Sequence, residues 1–533
     1  MRMFHRGLII MLMVVFAAGL WSLADAQAPK TLVVALQGDP TGLDPQTNLD
    51  NESWYIESSI YDSPVSYKLG STVPAPGLAE SWTISPDGKT YTFKLRSGVT
   101  FQDGTPVTAQ AVAADLDRAV NPQNPCYVPG LKGVASFDSF TFGSVAAGTA
   151  AKIEAVDAST VRFTLPVPNA GFIASLAMVS SGIMSPAVTK QYGCDMANRP
   201  VGTGPFKFVE MAPSDHVTLA ANPTYWRGRP KMDRVVFQII PESTTRLLAL
   251  ERNQVQIVLD VLPSDYDRIS GNKALQLMRA PALLTLGVGM AVDAAPFNDV
   301  RVRKAMNYAV DKDAINKGLY AGAATSSQAV SAPYWAYNPA VKPYPYDPDM
   351  AKKLLAEAGY PNGFTTDLLT YSSARSYNPA GGDKLAEAVQ PYLAKVGVTV
   401  RIQQFEFGAY LDKIRHTPWQ GMALFGGSGD NGDPDNMLSV RFDYNEASHA
   451  FAGSNYGRYH NPVVSQLFAQ ARSITDQARR AEMYKEINAI THDDAPWIFV
   501  NNLQLVRAAR ANVDGFVQFP VTGLWRLDLV SLK

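Results

Sequence analysis

The sequence predicts a mixed α/β protein built from at least two lobes. The chain has 533 residues, whereas a single hydrophobic core stops growing at about 250–300 residues. Strand-like and helix-like segments alternate along its whole length, which favours mixed α/β lobes over an all-α or all-β fold. No internal repeat, low-complexity segment or long linker interrupts them. We therefore expect the lobes to be joined by several short crossovers.

Four segments have the pattern of β-strands. Residues Thr31–Leu36 form a short apolar run that ends at the turn-forming residues 38–42. Residues 91–96 alternate between apolar and polar side chains, which is the period of a strand with one buried face. Residues 161–165 and 235–240 are short and rich in β-branched and aromatic side chains. Each of these segments is predicted to be a strand.

Three segments have the pattern of helices. Apolar residues at i, i+3, i+4, i+7 and i+8 in 302–310 form one stripe of an amphipathic helix. A second helix is predicted after Asp347, whose following proline is typical of the first helical position, and it stops at Gly359. A third covers 383–396 and contains Pro391, which predicts a kink.

The N-terminus has the three-part layout of a secretory signal. Positive residues in 2–6 precede the apolar run 8–20, and the small-x-small sequence 24–26 supplies a cleavage site. A single membrane anchor is the alternative, but the run is shorter than the roughly 20 residues that a bilayer span needs. We predict a signal peptide over 1–26, a mature chain beginning near Gln27 or Ala28, and a periplasmic location.

The charge balance argues against nucleic acid as a partner. The formal net charge is −1 and only 18% of residues are charged. Proteins that bind nucleic acid normally carry a strongly basic patch or stripe. We therefore expect no nucleic-acid partner.

The chain contains two cysteines, Cys126 and Cys194. In an oxidising compartment they could form a disulfide. Two separate thiols are the alternative, and the distance between the two residues decides between them.

Sequence patterns of enzymes and metal sites are missing. The six histidines form no close ligand pair, and neither cysteine has a partner at zinc spacing. Residues 426–429 only partly match a nucleophile elbow, because Asp430 stands where the pattern requires glycine. The acidic segment 430–441 also fails as a calcium loop, since Arg441 occupies the position of the bidentate glutamate. We therefore predict no catalytic residue, metal or cofactor, and a solvated turn remains one interpretation of the acidic segment.

Several motifs in order resemble the family 5 extracellular solute-binding proteins. They are PGLAESW at 76–82, DGKTYTF at 87–93, LRSGV at 95–99, VGTGPF at 201–206, DVRVRKA at 299–305 and YAVDK at 308–312. The resemblance implies a two-lobed periplasmic binding protein fold, type II-like, with an extra small subdomain in lobe I. Its implied boundaries are 27–58, 200–282 and 501–533 for lobe I, 59–199 for the small subdomain and 283–500 for lobe II.

Two further segments resemble the dipeptide-binding branch of that family. They are RSYNP at 375–379 and GDNGDPDN at 429–436. The resemblance implies that Arg375 holds the carboxylate of the ligand, that Asp430 holds its ammonium group, and that Tyr377 lines the pocket between them. We add the residues just before Asp430, which are Gly427, Ser428 and Gly429, to the predicted ligand-binding set.

The chemistry of a free peptide fits this allocation. Enclosing a zwitterion removes water from two charges, which costs several kcal/mol per ion unless each charge is paired. The planar guanidinium of Arg375 matches a carboxylate, and Asp430 offers only acceptors to an ammonium group. Because each added residue lengthens a peptide by about 3.3–3.6 Å, two fixed anchors also limit its length. Two alternatives stay open: Arg375 bridges a surface carboxylate, or Asp430 only forms a turn.

One residue departs from the branch pattern. An aromatic residue, usually tryptophan, stands three positions before the aspartate in that branch, whereas this chain has Gly427. Losing a large ring should enlarge the pocket. A longer or bulkier peptide, or haem, then becomes a possible ligand beside a dipeptide.

The predicted function is therefore the extracytoplasmic substrate-binding component of an ABC importer. It captures short peptides, above all dipeptides, in a cleft that closes between two lobes. Its partners are membrane permease subunits with their ATPases, and we expect a monomer. The alternatives are the same architecture binding haem or another non-peptide solute, and a secreted peptidase. A peptidase needs a nucleophile with a base, or an open metal site, and the sequence displays neither.

Overall fold

The computed structural model describes residues 29–48, 50–121, 123–127, 152–446 and 448–533. The predicted signal peptide, residues 1–26, lies outside the described residues. None of the helices in these ranges combines the length and the apolar character that crossing a bilayer requires. The described part of the chain is a mixed α/β protein, which confirms the predicted class.

The strands are β1 Thr31–Leu36, β2 Val65–Tyr67, β3 Pro74–Pro76, β4 Ala79–Ile84, β5 Thr90–Leu95, β6 Lys152–Asp157, β7 Thr160–Thr164, β8 Phe206–Ala212, β9 His216–Ala221, β10 Arg234–Ile239, β11 Ile257–Val258, β12 Leu275–Met290, β13 Ala324–Thr325, β14 Thr365–Tyr371, β15 Thr399–Phe405, β16 Met422–Ser428, β17 Tyr444–Asn445, β18 Ala450–Phe451, β19 Trp497–Arg510, β20 Val513–Asp514 and β21 Ser531–Leu532.

The α-helices are α1 Asn51–Ile60, α2 Ala109–Val120, α3 Phe172–Ser175, α4 Pro186–Tyr192, α5 Ser243–Glu251, α6 Tyr266–Gly271, α7 Val300–Ala309, α8 Lys312–Tyr320, α9 Pro348–Glu357, α10 Gly382–Ala394, α11 Phe407–His416, α12 Pro434–Phe442, α13 Pro462–Ser473 and α14 Gln477–Asp494. Short 3-10 turns cover Val179–Ser181, Pro263–Asp265 and Leu527–Leu529.

The four predicted strands are confirmed. Strand β1 has the predicted bounds, and β5, β7 and β10 each begin and end one residue before the predicted positions. Their alternation reflects burial, as β5 shows. Tyr91, Phe93 and Leu95 are buried, while the intervening side chains are partly or fully exposed. A strand with one face on a core requires this pattern.

The three predicted helices are also confirmed, and each begins as its sequence indicates. The Asp299 side chain accepts a hydrogen bond from the Arg301 backbone at 2.8 Å and caps α7. Asp347 caps α9 by accepting from the Met350 backbone at 2.9 Å, with proline at the first helical position. Both caps satisfy backbone N–H groups that lack a partner at a helix start. Helix α10 contains Pro391, as predicted.

One large sheet organises most of the described chain. Its strand order is β15-β14-β16-β12-β19-β11-β1-β10-β9-β8, and β13 pairs with β19. The two longest strands, β12 and β19, run antiparallel at the centre. At one end of the order lie β14 and β15, and at the other lie β8, β9 and β10. The two central strands therefore connect both halves of the sheet.

The long pair of strands is interrupted in the middle. The register of β12 against β19 shifts between Pro281 and Leu284. Proline has no N–H for the ladder, so within sheets it is confined to edges and irregular positions such as this one. The predicted boundary between lobe I and lobe II, at 282/283, falls at this shift. The complete set of lobe boundaries stays a prediction.

A second sheet of four antiparallel strands, ordered β4-β5-β7-β6, lies in the predicted small subdomain. Cys126 and Cys194 form a disulfide with their Cα atoms 5.2 Å apart, so the paired alternative is the right one. That separation is within the range that disulfide geometry allows. The loop that the bond closes, residues 126–194, includes β6 and β7 of this sheet.

The glycines of the motif at 201–206 are explained by a close backbone approach. A Cβ atom at Gly204 would lie 2.5 Å from the carbonyl carbon of Ile60, at the end of α1. A Cβ atom at Gly202 would overlap the Ile60 carbonyl oxygen. Only glycine lets the two chain segments pack this closely.

Candidate ligand-binding site

The two loops predicted to bind the ligand follow adjacent parallel strands. Strand β14 pairs with β16 in parallel through Leu368 with Met422 and Leu369 with Ala423. The loop after β14 contains Arg375 and Tyr377, and the loop after β16 contains Asp430. Carboxyl ends of neighbouring parallel strands meet at one edge of a sheet, where α/β proteins bind ligands. The topology therefore brings both predicted anchors to the same edge.

The loop that carries Arg375 is held from within. Arg375 and Asn378 exchange backbone hydrogen bonds of 3.0 and 2.8 Å. The buried Asn378 side chain accepts from the Tyr320 hydroxyl at 2.9 Å and donates to Tyr371 at 3.3 Å. These contacts fix the loop at the end of β14.

The guanidinium of Arg375 lies over an aromatic ring. Its central carbon is 3.3 Å from the centroid of the Phe407 ring. Within the described residues it forms no ion pair with a carboxylate. The guanidinium is thus oriented by stacking and by a hydrogen bond with Tyr377, and its charge has no carboxylate partner among the described residues.

Strand β16 ends in a run of small residues. Gly427 pairs with Thr285 and Ser428 with Leu284 of β12, and the Gly429 backbone donates to the Leu283 carbonyl at 2.7 Å. A Cβ atom at the preceding glycine, Gly426, would lie 2.5 Å from the Tyr377 ring. The absence of a side chain at Gly426 therefore lets Tyr377 pack against the strand.

Asp430 lies between the end of β16 and the start of α12. Its backbone N–H donates to the Asn436 side chain at 2.8 Å. Asp430 lines a small cavity of about 10 Å³ that is partly open to solvent. Other residues that line the cavity come from distant parts of the chain and include Trp54, Tyr67, Met178, Val521 and Leu524.

The surroundings of Asp430 make its charge costly. Burial raises the pKa of this carboxyl to about 6, although the positive charge of Arg441 acts in the opposite direction. No cation of the described residues is within ion-pair distance of it. Asn436 and Ser428 are hydrogen-bond partners of this half-buried carboxyl and lower its pKa, but neither carries a charge. A carboxylate in such surroundings is stabilised by an incoming cation.

The other two aspartates of the acidic segment have partners. Asp433 forms a bidentate pair with Arg480 at 2.6 and 2.8 Å, and both side chains are almost fully buried. Asp435 contacts Arg472 at 3.1 Å. Asp433 also caps α12. These two carboxylates hold the loop in place, so Asp430 differs from them in its environment.

A larger cavity continues from the one at Asp430. Its volume is about 60 Å³, and it shares Tyr67 and Leu524 with the smaller cavity. Arg227 and Arg526 line its wall. Asp62 lies there too, but it accepts hydrogen bonds from Thr203, Tyr225 and Trp226 at 2.9, 3.0 and 2.9 Å. The site therefore has room beyond the immediate surroundings of Asp430.

Two residues near the site were not predicted from the sequence. The guanidinium of Arg441, in α12, lies against Gly427, and the Tyr334 hydroxyl lies against Gly429. Both side chains are buried, with 8% and 2% of their surface exposed. The one available signal for Arg441 is its position as a lone cation in the mostly apolar run 437–442. No local signal distinguishes Tyr334.

Metal-ligating residues do not cluster in the described ranges. No group of three or more His, Cys, Asp or Glu side chains there has an arrangement that could hold a metal ion.

Comparison with known proteins identifies the family. Residues 73–448 match the family described as bacterial extracellular solute-binding proteins, family 5 Middle. The chain belongs to family 5. It is 35% identical over 527 residues to the dipeptide-binding protein of Escherichia coli (strain K12), and the match covers 96% of each chain. It is also 35% identical over 514 residues to heme-binding protein A of Haemophilus influenzae, covering 93% of this chain and 91% of that one.

A solved structure confirms the architecture. The ABC transporter-associated periplasmic binding protein DppA from Helicobacter pylori, in complex with the peptide STSA, superposes with a TM-score of 0.79 at 33% identity. The match covers 94% of this chain and 98% of that one. The two-lobed binding protein fold predicted from the sequence is therefore the fold of this chain. As a family 5 protein it is a solute-binding component of an ABC importer, and it is not an enzyme.

Proposed function

We propose that this family 5 protein captures short peptides, with dipeptides as the simplest ligands, in the cavity at Asp430. The ligand ammonium group pairs with Asp430 and the ligand carboxylate with Arg375, while Tyr377, Gly427, Ser428 and Gly429 form the adjoining wall. The observation that carries this proposal is the position of both anchors at one sheet edge, each without an ion-pair partner in the described residues. The peptide ligands named for the relatives from Escherichia coli and Helicobacter pylori support it.

Energetics favour a zwitterion over a neutral solute. A ligand ammonium beside Asp430 replaces the water that the carboxylate lost on burial. In the same way, the guanidinium of Arg375 replaces the water that the carboxylate of the ligand loses on binding. We therefore expect the protein to recognise the ends of the peptide and to tolerate several side chains.

The test is calorimetry on the mature protein with end-modified peptides. Ala-Ala should bind, whereas N-acetyl-Ala-Ala and Ala-Ala-amide should each bind far more weakly, since each lacks one charged end. Asp430→Ala and Arg375→Ala should each cost several kcal/mol of affinity, because each leaves a ligand charge unpaired. The exposed Asp412 and Arg479 provide control alanine variants that keep full affinity. Unchanged Ala-Ala binding in both site variants would refute the site.

Haem is the second candidate. The 35% identity to heme-binding protein A favours it, as does the lack of a side chain at Gly427. Haem has two carboxylates and no ammonium group, so it would leave Asp430 unpaired. Titration of the protein with haemin, followed by the Soret band, separates the two candidates. Mass spectrometry of ligand released by denaturation identifies what the purified protein carries.

The transport context follows from the family and completes the proposal. The precursor is exported to the periplasm and loses residues 1–26, the closed monomer docks on a pair of permease subunits, and their ATPases power uptake. N-terminal sequencing of the exported protein should give a start near Gln27 or Ala28. Light scattering should give the mass of one chain, and a dimer would contradict the monomer.

A further inference from the structure

A second positive group lies beside the proposed peptide site. The Arg441 side chain is only 8% exposed, and its Nη1 donates to the Met437 carbonyl at 2.6 Å. Within the described residues its other nitrogens have no hydrogen-bond partner, and no carboxylate is within ion-pair distance. A buried charge normally has a partner, because leaving it alone costs several kcal/mol. The missing partner is an unusual feature of Arg441.

A hydroxyl group without a partner lies next to this cation. Tyr334 is 2% exposed, and its hydroxyl has no hydrogen-bond partner in the described part of the chain. The charge of Arg441 acts on this hydroxyl. Buried hydroxyls are normally paired. Together, the guanidinium and the hydroxyl are two unused hydrogen-bond donors in one place.

Two glycines leave space for both donors beside the strand. A Cβ atom at Gly427 would overlap Nη2 of Arg441, and a Cβ atom at Gly429 would overlap the Tyr334 hydroxyl. Residues 427 and 429 are two apart, so they face the same side of the extended chain. Any other residue at these two positions would displace the donors. The two glycines and the two donors therefore form one arrangement.

The charges of the proposed peptide complex leave Arg441 uncompensated. Among the described residues, Asp430 is the carboxylate whose charge acts on Arg441. In the proposed function, the ammonium group of the ligand pairs with Asp430, and the ligand carboxylate pairs with Arg375. A dipeptide with a neutral side chain then adds no charge that could balance Arg441.

We propose that Arg441 and Tyr334 form a subsite for a second carboxylate, so that the preferred ligands are short peptides with an aspartate or glutamate side chain. This inference rests on the proposed function. A carboxylate accepts two parallel bonds from a guanidinium and a further bond from a hydroxyl. It would satisfy both unused donors and neutralise the buried cation.

The test compares peptides that differ only in one charge. Calorimetry with Ala-Glu against Ala-Gln, and Glu-Ala against Gln-Ala, uses ligands of nearly identical shape. The wild-type protein should bind at least one acid about tenfold more tightly than its amide, as expected for one charge-assisted contact. Arg441→Met should reduce that ratio to about one, because the acid and the amide then meet no buried cation. Tyr334→Phe should reduce it roughly threefold, and the exposed Arg479→Met is the matched control.

Each outcome decides between distinct explanations. Ala-Ala binding without any preference for the acids overturns this inference and leaves the proposed function intact. Equal weakening of Ala-Ala and Ala-Glu in Arg441→Met also overturns it, because Arg441 would then serve the peptide backbone or Asp430. Failure of the wild type to bind any peptide overturns the proposed function and this inference with it. Circular dichroism checks that Arg441→Met is folded; if it is not, the wild-type ratios and Tyr334→Phe decide.

Discussion

Peptide affinity should depend on pH through Asp430. Burial raises the pKa of this carboxyl to about 6 in the unliganded protein, and only its ionised form accepts an ammonium group. The ionised fraction is about 0.9 at pH 7 and about 0.1 at pH 5, so the Kd for Ala-Ala should rise about tenfold over this range. The ends of the peptide titrate near 3.5 and 8 and contribute little between these values.

Calorimetry measures the effect in two ways. The Kd is determined from pH 5 to pH 7 at constant ionic strength, with circular dichroism to show that the protein stays folded. At pH 6, titrations in buffers with different ionisation enthalpies should reveal the release of about half a proton per peptide bound. Asp430→Asn should bind weakly at every pH and show no slope. A flat wild-type profile, or the same slope in Asp430→Asn, would refute the reasoning; the exposed Asp412→Asn should behave as wild type.

Three further predictions concern stability. Asp433→Asn should lower the free energy of unfolding by about 3–5 kcal/mol in urea, because it leaves the buried Arg480 unpaired, whereas equal stability would show that the pair contributes nothing. Replacing Cys126 and Cys194 by serine should lower the free energy of unfolding by about 4 kcal/mol, by the loop-entropy relation for a separation of 68 residues. A reductant should then no longer change the stability of the double variant. Burial lowers the pKa of His492 to about 4. Below about pH 6.5 the imidazole is therefore protonated in the unfolded state but still neutral in the folded state, so the free energy of unfolding should fall by about 2 kcal/mol from pH 7 to pH 5. His492→Phe should remove that loss, and an unchanged pH dependence of its melting temperature would contradict the assignment.

Local sequence patterns were sufficient to predict the strands and helices whose apolar residues recur at one regular spacing. The alternation in β5 and the apolar stripe of α7 arise from burial of one face, and that periodicity is visible in any sequence. Strand β12 has no such pattern. It contains Pro281, Gly287 and Gly289, which normally argue against a strand. Gly289 makes room for the Phe425 ring of β16, and this tertiary contact explains the residue.

The candidate site was only partly accessible from the sequence. The resemblance pointed to Arg375 and Asp430, and the parallel pairing of β14 and β16 explains why the two loops share an edge. Arg441 and Tyr334 were not predicted, because their positions against Gly427 and Gly429 depend on packing between segments far apart in the chain. The sequence also does not distinguish Asp430, Asp433 and Asp435 of the acidic loop, although they have different partners in the structure.

The distribution of cations separates the roles within this acidic loop. Asp433 and Asp435 have arginines at 2.6 and 3.1 Å, so their charges are balanced whether or not a ligand is present. The charge of Asp430 is offset only by the more distant Arg441, which itself lacks an ion-pair partner in the described residues. A ligand that carries one ammonium group for Asp430 and one extra carboxylate for Arg441 would supply both missing partners. A ligand that supplies only the first removes the main compensation of Arg441, so its binding should be weaker by the cost of that buried charge.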